Sequence, residues 1–267
     1  MIRFATMTNS RLWDRAASAL VVADGERRLP EVVALPVGLP TVQQLFDFMR
    51  DAELRFATLR MRITERAVTT RGEEATEFDV TLRHPGDAKV MTNRPGEIVG
   101  GQYEAWISDG DLVRTYVGAH KLGTERPVRN RPRGLDDPDL PGSAKVYEPV
   151  TALPMETLPD TFVHPAGYCQ NVLATGALTI EGTGLSADRA AIRLRCDHPR
   201  TTEVVGDRPD FTIRLWVDRD TGVILRLVET IAGEVTRDAV VTDLQPDAPL
   251  PPSAFDFTFP TGTTLIY

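Results

Sequence analysis

The stretch Leu215-Trp-Val-Asp-Arg-Asp-Thr-Gly-Val-Ile-Leu-Arg226 does most to limit what this chain can fold into. Two apolar-alternating arms flank a turn that ends in glycine. Side chains two apart share a face of an extended chain, so the stretch reads as a β-hairpin cut from a larger antiparallel sheet. With Val217 opposite Val223, Leu215 faces Leu225 and Ile213 faces Leu227 on one side, while Arg214 and Arg226 share the other. A sheet that is apolar on one face and wet on the other must cover the apolar face with helices or hold a ligand against it.

The alternation recurs along the chain. Leu59 to Thr70 returns through Arg71-Gly72 to Glu73 to Arg83, a register that sets Met61 against Leu82, Ile63 against Val80 and Arg66 against Glu77. His84-Pro-Gly-Asp87 is a turn signal before a strand from Ala88 to Asn93. Tyr103 to Tyr116 makes a further hairpin around Asp109-Gly110, the dipeptide of a two-residue type I′ turn, with Trp106 opposite Val113 and Ile107 opposite Leu112. Both faces are apolar there, so both should be covered. Strands resume at Ala177 to Gly182, Ala190 to Asp197, Phe211 to Asp218, Val223 to Ile231 and Val235 to Asp243, and Phe255 to Phe259 reads as a last short strand. Ahead of the sheet, Ser10 caps a helix over Arg11 to Ala23, and a Pro-rich link runs from Pro30 to Pro40. Thr41 then caps a stronger helix whose Val42, Leu45, Phe46, Met49, Ala52 and Phe56 follow the helical period. Residues 123 to 167 are proline-rich and show little periodicity, so they read as a long irregular excursion with one short helical piece.

At 267 residues with a net charge of −8, the chain can bury a sizeable core but offers no broad phosphate-binding surface, which argues against nucleic acid as a partner. No window approaches the eighteen apolar residues of a membrane span, and no export signal is expected from the sequence as given. Cys169 and Cys196 fit either two buried thiols or one disulfide. Asp218 to Gly222 has the opening of a calcium loop, but strands flank it, so it reads as a turn. His84, His120, His164 and His198 lack metal-ligand spacing and read as structural or solvent-facing, and Cys169 with His164 or His198 has no local support as a nucleophile pair. The glycines from Gly96 to Gly101 lack nucleotide-loop spacing. Neither a metal nor a cofactor is implied. Arg126, Arg129, Arg131 and Arg133 cluster within eight residues and suit an anionic head group or partner, or form a solvated loop balanced by Asp136, Asp137 and Asp139.

The helix from Thr41 to Thr58, the run of antiparallel strands, the Leu215 to Gly222 hairpin arm and turn, and a closing Pro-rich segment from Leu250 to Phe259 together resemble the LolA/LolB lipoprotein-carrier family. The N-terminal domain of the related sigma-E regulatory, RseB-like proteins is similar, and Phe162-Val-His-Pro165 suits that branch. The resemblance covers roughly residues 41 to 260. It implies an α+β fold, a strongly curved antiparallel half-barrel closed by two or three helices, with an apolar cavity for acyl chains. It also implies export, a feature the sequence as given does not display.

The expected architecture is a helix and Pro-rich extension over residues 1 to 40, followed by a lipid-binding half-barrel of nine to eleven strands over residues 41 to 267. The expected function is non-catalytic binding of a lipid, a lipoprotein acyl chain or another hydrophobic ligand. Phe46, Met49, Met61, Ile63, Val80, Leu82, Ile213, Leu215, Leu225 and Leu227 form its apolar wall. The alternatives are a regulatory sensor that contacts a membrane-bound partner, and an enzyme acting on an apolar small molecule. The enzyme would need an ionisable side chain with a displaced pKa facing the cavity.

Overall fold

The computed structural model describes residues 32, 34–70, 72–95, 103–128, 149–200 and 210–266. The helix expected over Arg11 to Ala23 and the arginines at 129, 131 and 133 lie outside the described residues. Among the described residues, twelve strands form one curved sheet: β1 (Thr58–Thr69), β2 (Gly72–Arg83), β3 (Asp87–Asn93), β4 (Tyr103–Asp109), β5 (Leu112–Val117), β6 (Leu122–Pro127), β7 (Ala177–Ser186), β8 (Arg189–Asp197), β9 (Phe211–Asp218), β10 (Ile224–Ile231), β11 (Glu234–Pro246) and β12 (Thr264–Ile266). Their order is β12-β6-β5-β4-β3-β2-β1-β11-β10-β9-β8-β7. Every pairing is antiparallel except that of β12 with β6. The fold is the curved antiparallel sheet with few helices that the sequence led us to expect, with one strand more than the upper expected number.

Among the described residues, three short helices accompany the sheet: α1 (Val42–Arg50), α2 (Leu158–Val163) and α3 (Pro165–Asn171). Thr41 caps α1 as expected, accepting from the Gln44 amide at 3.2 Å while the Gln44 side chain accepts from the Thr41 amide at 2.9 Å. The helix stops at Arg50, and a 3-10 turn over Ala52–Arg55 carries the chain to β1, so the helical run is shorter than its apolar period implied. The Arg55 guanidinium then clamps this junction. It lies 3.8 Å from the centre of the Phe48 ring and donates to the carbonyls of Phe48 at 2.7 Å and Thr221 at 3.3 Å. α1 packs on α3 and β7, and α2 packs on β10.

Each of the three expected hairpins forms with the expected faces and a displaced register, by two residues in the first and second and by one and then two in the third. In the first, Met61 pairs with Val80, Ile63 with Phe78 and Arg66 with Ala75, because Thr69 pairs with Gly72 and the turn sits one residue earlier than expected. The opposite-charge contact is therefore Arg62 to Asp79 at 2.7 Å rather than Arg66 to Glu77. In the second, Trp106 pairs with Thr115 and Ile107 with Arg114. The Asp109 carboxylate accepts from the amides of Asp111 and Leu112 at 3.1 and 2.8 Å, which builds a longer turn than the type I′ form. In the third, Val217 pairs with Ile224, an irregularity follows before Arg226, and Leu215 meets Leu227.

The face under the helices, here called inner, carries the main core, including Leu59, Met61, Ile63, Leu82, Leu194, Ile213, Leu215, Leu227 and Val241. On the outer face Ala105, Ile107 and Tyr116 pack with Phe257 and Phe259. Both faces around the second hairpin are thus covered, as its sequence required. Phe255 to Phe259 is not a strand. Two of its phenyl rings lie over β4 and β5, and the prolines at 251, 252 and 260 have no N–H to give to a ladder. Residues 123 to 167 also depart from the expectation of one helical piece. Their start completes β6, and their end holds α2 and α3, each opening with a proline in its first turn.

Candidate ligand cavity

A cavity of about 190 Å³ opens on the inner face between β2 to β5 and the segment that runs into the first turn of α2. Strand pairing explains its floor. Phe78, Thr92, Glu104 and Val117 stand in one row across β2 to β5, and Val90, Trp106 and Thr115 in the next. Pro154, Thr157 and Pro159 close the other side. The lining is mostly apolar, with Thr92, Thr115, Thr157, Tyr116 and Glu104 as the residues that carry hydroxyl or carboxylate groups. Glu104 accepts from exposed Arg94 at 2.8 Å, a surface pair of small energetic worth.

Two pins hold the closing segment. At its start, Thr151 is fully buried. Its Oγ1 lies 2.7 Å from His84 Nδ1 and accepts from the Gly86 amide at 2.9 Å. The Val150 amide donates to Glu53 Oε2 at 2.8 Å. His84 stacks on Phe56 with centroids 5.5 Å apart. Burial first, and then the nearby His164 charge, hold the His84 pKa down to about 3. At the far end, His164 caps the end of α2, with Nδ1 2.9 Å from Asp160 Oδ1 and Nε2 3.4 Å from Glu53 Oε2. Burial raises the Glu53 carboxyl, against the lowering effect of His164. Between the pins, Leu153 enters the main core and Thr157 Oγ1 donates to the Pro154 carbonyl at 2.6 Å.

All ten wall residues expected from the sequence, Phe46, Met49, Met61, Ile63, Val80, Leu82, Ile213, Leu215, Leu225 and Leu227, are buried together in the main core. None is among the residues lining the cavity. Arg126 lies exposed near the end of β6. The cavity residues Phe78, Trp106, Pro154 and Pro159 were not singled out as a site by the sequence. Their nearest signals were the two-faced apolarity around Trp106 and the prolines of the 123 to 167 excursion. His84 and His164 are buried structural groups.

The remaining motifs resolve into packing. Asp218 is fully buried, receives Arg189 through two bonds of 2.8 and 3.0 Å, and accepts from the Thr221 amide and hydroxyl at 2.9 and 2.6 Å. Its turn is an ion-paired structural corner. The neighbouring Arg219 donates to the carbonyls of Pro36, Val37 and Gly38, which ties the Pro-rich link to the same corner. Both cysteines are free. Cys169 faces the Met49 sulfur at 3.7 Å and Cys196 donates to the Leu173 carbonyl at 3.4 Å. Burial pushes the Cys169 thiol far up and the Cys196 thiol to about 11. Neither is a ready nucleophile. Among the described residues, no three histidine, cysteine or acidic side chains could hold a metal, and no helix is long and apolar enough to cross a membrane.

No protein-family model and no curated protein sequence matches the chain. Among solved structures it is similar to a conserved protein from Thermus thermophilus, with 13% identity over 84% of this chain and 97% of that one and a TM-score of 0.46. It is also similar to the MucA/MucB complex of Pseudomonas aeruginosa, with 14% identity, coverage of 81% and 61%, and a TM-score of 0.45. A third is a LolA superfamily protein from Nitrosomonas europaea, with 12% identity, coverage of 82% and 99%, and a TM-score of 0.34. The chain spans about three fifths of the MucB structure. The LolA group that the sequence resembles is thus among the structures this chain is similar to.

Proposed function

We propose that this protein binds a hydrophobic ligand without catalysis, in the cavity between β2 to β5 and residues 154 to 159. The observation that carries the reading is the lining: Phe78, Val90, Trp106, Val117 and two prolines around a space of about 190 Å³. Apolar surface of this kind gains affinity by releasing water, about 0.8 kcal/mol for each methylene buried. The strongly displaced groups Glu53, His84, Cys169 and Cys196 are not among the lining residues, an arrangement that favours binding over proton-transfer chemistry. The buried aliphatic wall from Met61 to Leu227 carries the helices, and a ligand reaches it only if they move away.

The finer form of this reading is a lipid or lipoprotein acyl chain as the ligand. A protein partner, such as MucB has in the MucA/MucB complex, would be a separate engagement. The test is calorimetric titration with benzene, an uncharged apolar probe that a cavity of this size can hold, with Val117→Asp as the variant because Val117 is only half-buried. Saturable one-to-one binding that the folded variant loses supports the reading. Equal binding by both proteins would reject it. Mass spectrometry of protein purified from its own host then identifies any retained lipid.

A further inference from the structure

We infer that β7 is a docking edge for an extended acidic segment of a partner protein, which adds to the sheet as one more strand and sets a carboxylate against Arg193. β7 lies far from the cavity, with β1, β11, β10, β9 and β8 between it and β2. Ten residues long, it carries no further strand on its outward side among the described residues. An unpaired strand offers the N–H and C=O of about every second residue to an incoming chain. Edges are ordinarily blunted by proline, lysine or short length, and β12 at the opposite edge has only three residues. β7 has neither proline nor lysine. Its guards are the irregularity between Ile180 and Gly182 and the single charge of Glu181, which engages Arg214 at 3.6 Å. Beyond them runs the uncharged stretch Gly182-Thr-Gly-Leu-Ser186, in which Leu185 is 74% exposed.

Arg193 decides the chemistry of the incoming chain. It stands opposite Gly182 on the outer face of β8, and its side chain runs over the two glycines of the edge. A Cβ on Gly184 would lie 3.3 Å from Arg193 Cδ, and one on Gly182 would lie 3.7 Å from its Nη2. Glycine at both places lets the guanidinium reach toward the open side. Its Nε is buried with no hydrogen-bond acceptor, and it makes no ion pair among the described residues. The arginines around it are answered: Arg195 by Asp197 at 2.8 Å, Arg214 by Glu181, and Arg226, over the Trp216 ring, by Asp238 at 2.7 Å. A buried donor without a partner is costly, and an added strand about 4.8 Å beyond β7 brings a side chain within its reach. A carboxylate fits a guanidinium through two parallel bonds. The alternate side chains of the same strand turn to the inner side, where an apolar one meets Leu185. A second copy is a poor occupant, because β7 paired with itself through its glycines would bring two Arg193 guanidinium groups together.

The experiment titrates the whole protein with a fluorescein-labelled octapeptide of alternating glutamate and valine. Beside it run a glutamine-valine peptide, which lacks the charge, and a glutamate-proline peptide, which lacks every second ladder donor. The first should bind one-to-one and slow hydrogen exchange at the β7 amides of the open side. Glutamine in the peptide, or Arg193→Gln in the protein, should weaken binding about ten-fold or more, and Arg193→Lys should recover part of the loss. Arg195→Gln, which removes an arginine already held by Asp197, should change it by no more than about two-fold. Equal affinity for the glutamate and glutamine peptides overturns the proposal without relying on any variant to fold. Equally tight binding of the proline peptide, protection away from β7, or no binding at all does the same. Protection of β7 that rises with protein concentration alone would make a second copy the occupant. Binding to phosphatidylglycerol vesicles that Arg193→Gln abolishes, with no peptide bound, would assign the guanidinium to a membrane surface. Either result also overturns the acidic partner.

Discussion

Glutamine in place of His84 should make the stability difference between variant and wild type depend on pH, with a sign that the pin geometry dictates. The ring is buried, stacked on Phe56 and bonded to Thr151, and its pKa falls from the ordinary 6.5 to about 3 because burial and the His164 charge both oppose protonation. The unfolded chain takes up a proton below 6.5 and the folded one does not until about 3. A depressed folded pKa gives stability that is present above 6.5 and is lost as pH falls through that window, at no more than about 1.4 kcal/mol per pH unit. Between pH 8 and pH 5 this group alone costs the wild type about 2 kcal/mol. Glutamine can still bond Thr151 and cannot titrate, so its own penalty, about 1 to 2 kcal/mol, stays constant with pH. The two proteins should therefore converge as pH falls and match near pH 5. Glu53 works in the opposite direction. Its raised pKa gives stability present below its ordinary value of 4.5 and lost as pH rises, but it is present in both proteins and cancels in their difference. Urea midpoints measured every half pH unit from 8 to 5 supply the test. A difference that stays constant across that range would refute the buried, neutral histidine.

Leu215→Asp should cost more than about 4 kcal/mol or prevent folding, since a carboxylate there has only Leu194 and Leu227 as cross-strand neighbours; a urea midpoint within error of wild type would remove Leu215 from the core. Asp218→Asn leaves Arg189 without its two-bond partner at a buried corner and should destabilise by about 3 to 5 kcal/mol, with much of the loss recovered by adding Arg189→Met. Thiol titration should find neither Cys169 nor Cys196 reactive in the native protein and both reactive after denaturation without reductant. Serine at Arg129, Arg131 and Arg133 together should weaken binding to anionic vesicles at low salt, with the loss shrinking as salt rises; equal binding at low salt would leave the cluster as solvated surface.

Alternation told which side chains share a face, and the structure shows why it could not tell which stand opposite. Met61, Ile63, Val80 and Leu82 lie on one face whether Met61 pairs with Leu82 or with Val80, because a slip of two residues leaves every side chain on its own side. The choice belongs to the turns. Asp109 captures the amides of Asp111 and Leu112, Asp218 captures Thr221, and an irregularity sits between Ile224 and Arg226. None of these leaves a periodic trace. The apolar wall was legible for the same reason the faces were, and the cavity was not, because its place depends on which part of the inner face the helices leave uncovered. Its closing segment has no period to read, and α2 and α3 are too short for the helical repeat to emerge. The contact between His84 and Thr151 joins residues 67 apart in sequence with no local signal in either.

The parallel pairing of β12 with β6 affects how the molecule assembles. Thr264 meets Leu122 from about 140 residues away in sequence, and contacts so distant close late, because the intervening chain must be ordered first. Until they close, β6 has an open ladder edge, and beside it Tyr103 and Tyr116 lack the covering rings of Phe257 and Phe259. Gly123 marks how closely the final seal fits, since a Cβ there would lie 2.6 Å from the Phe259 ring. A chain caught before that seal forms presents an adhesive strand edge next to an aromatic patch, so self-association of this protein during refolding should begin at β6.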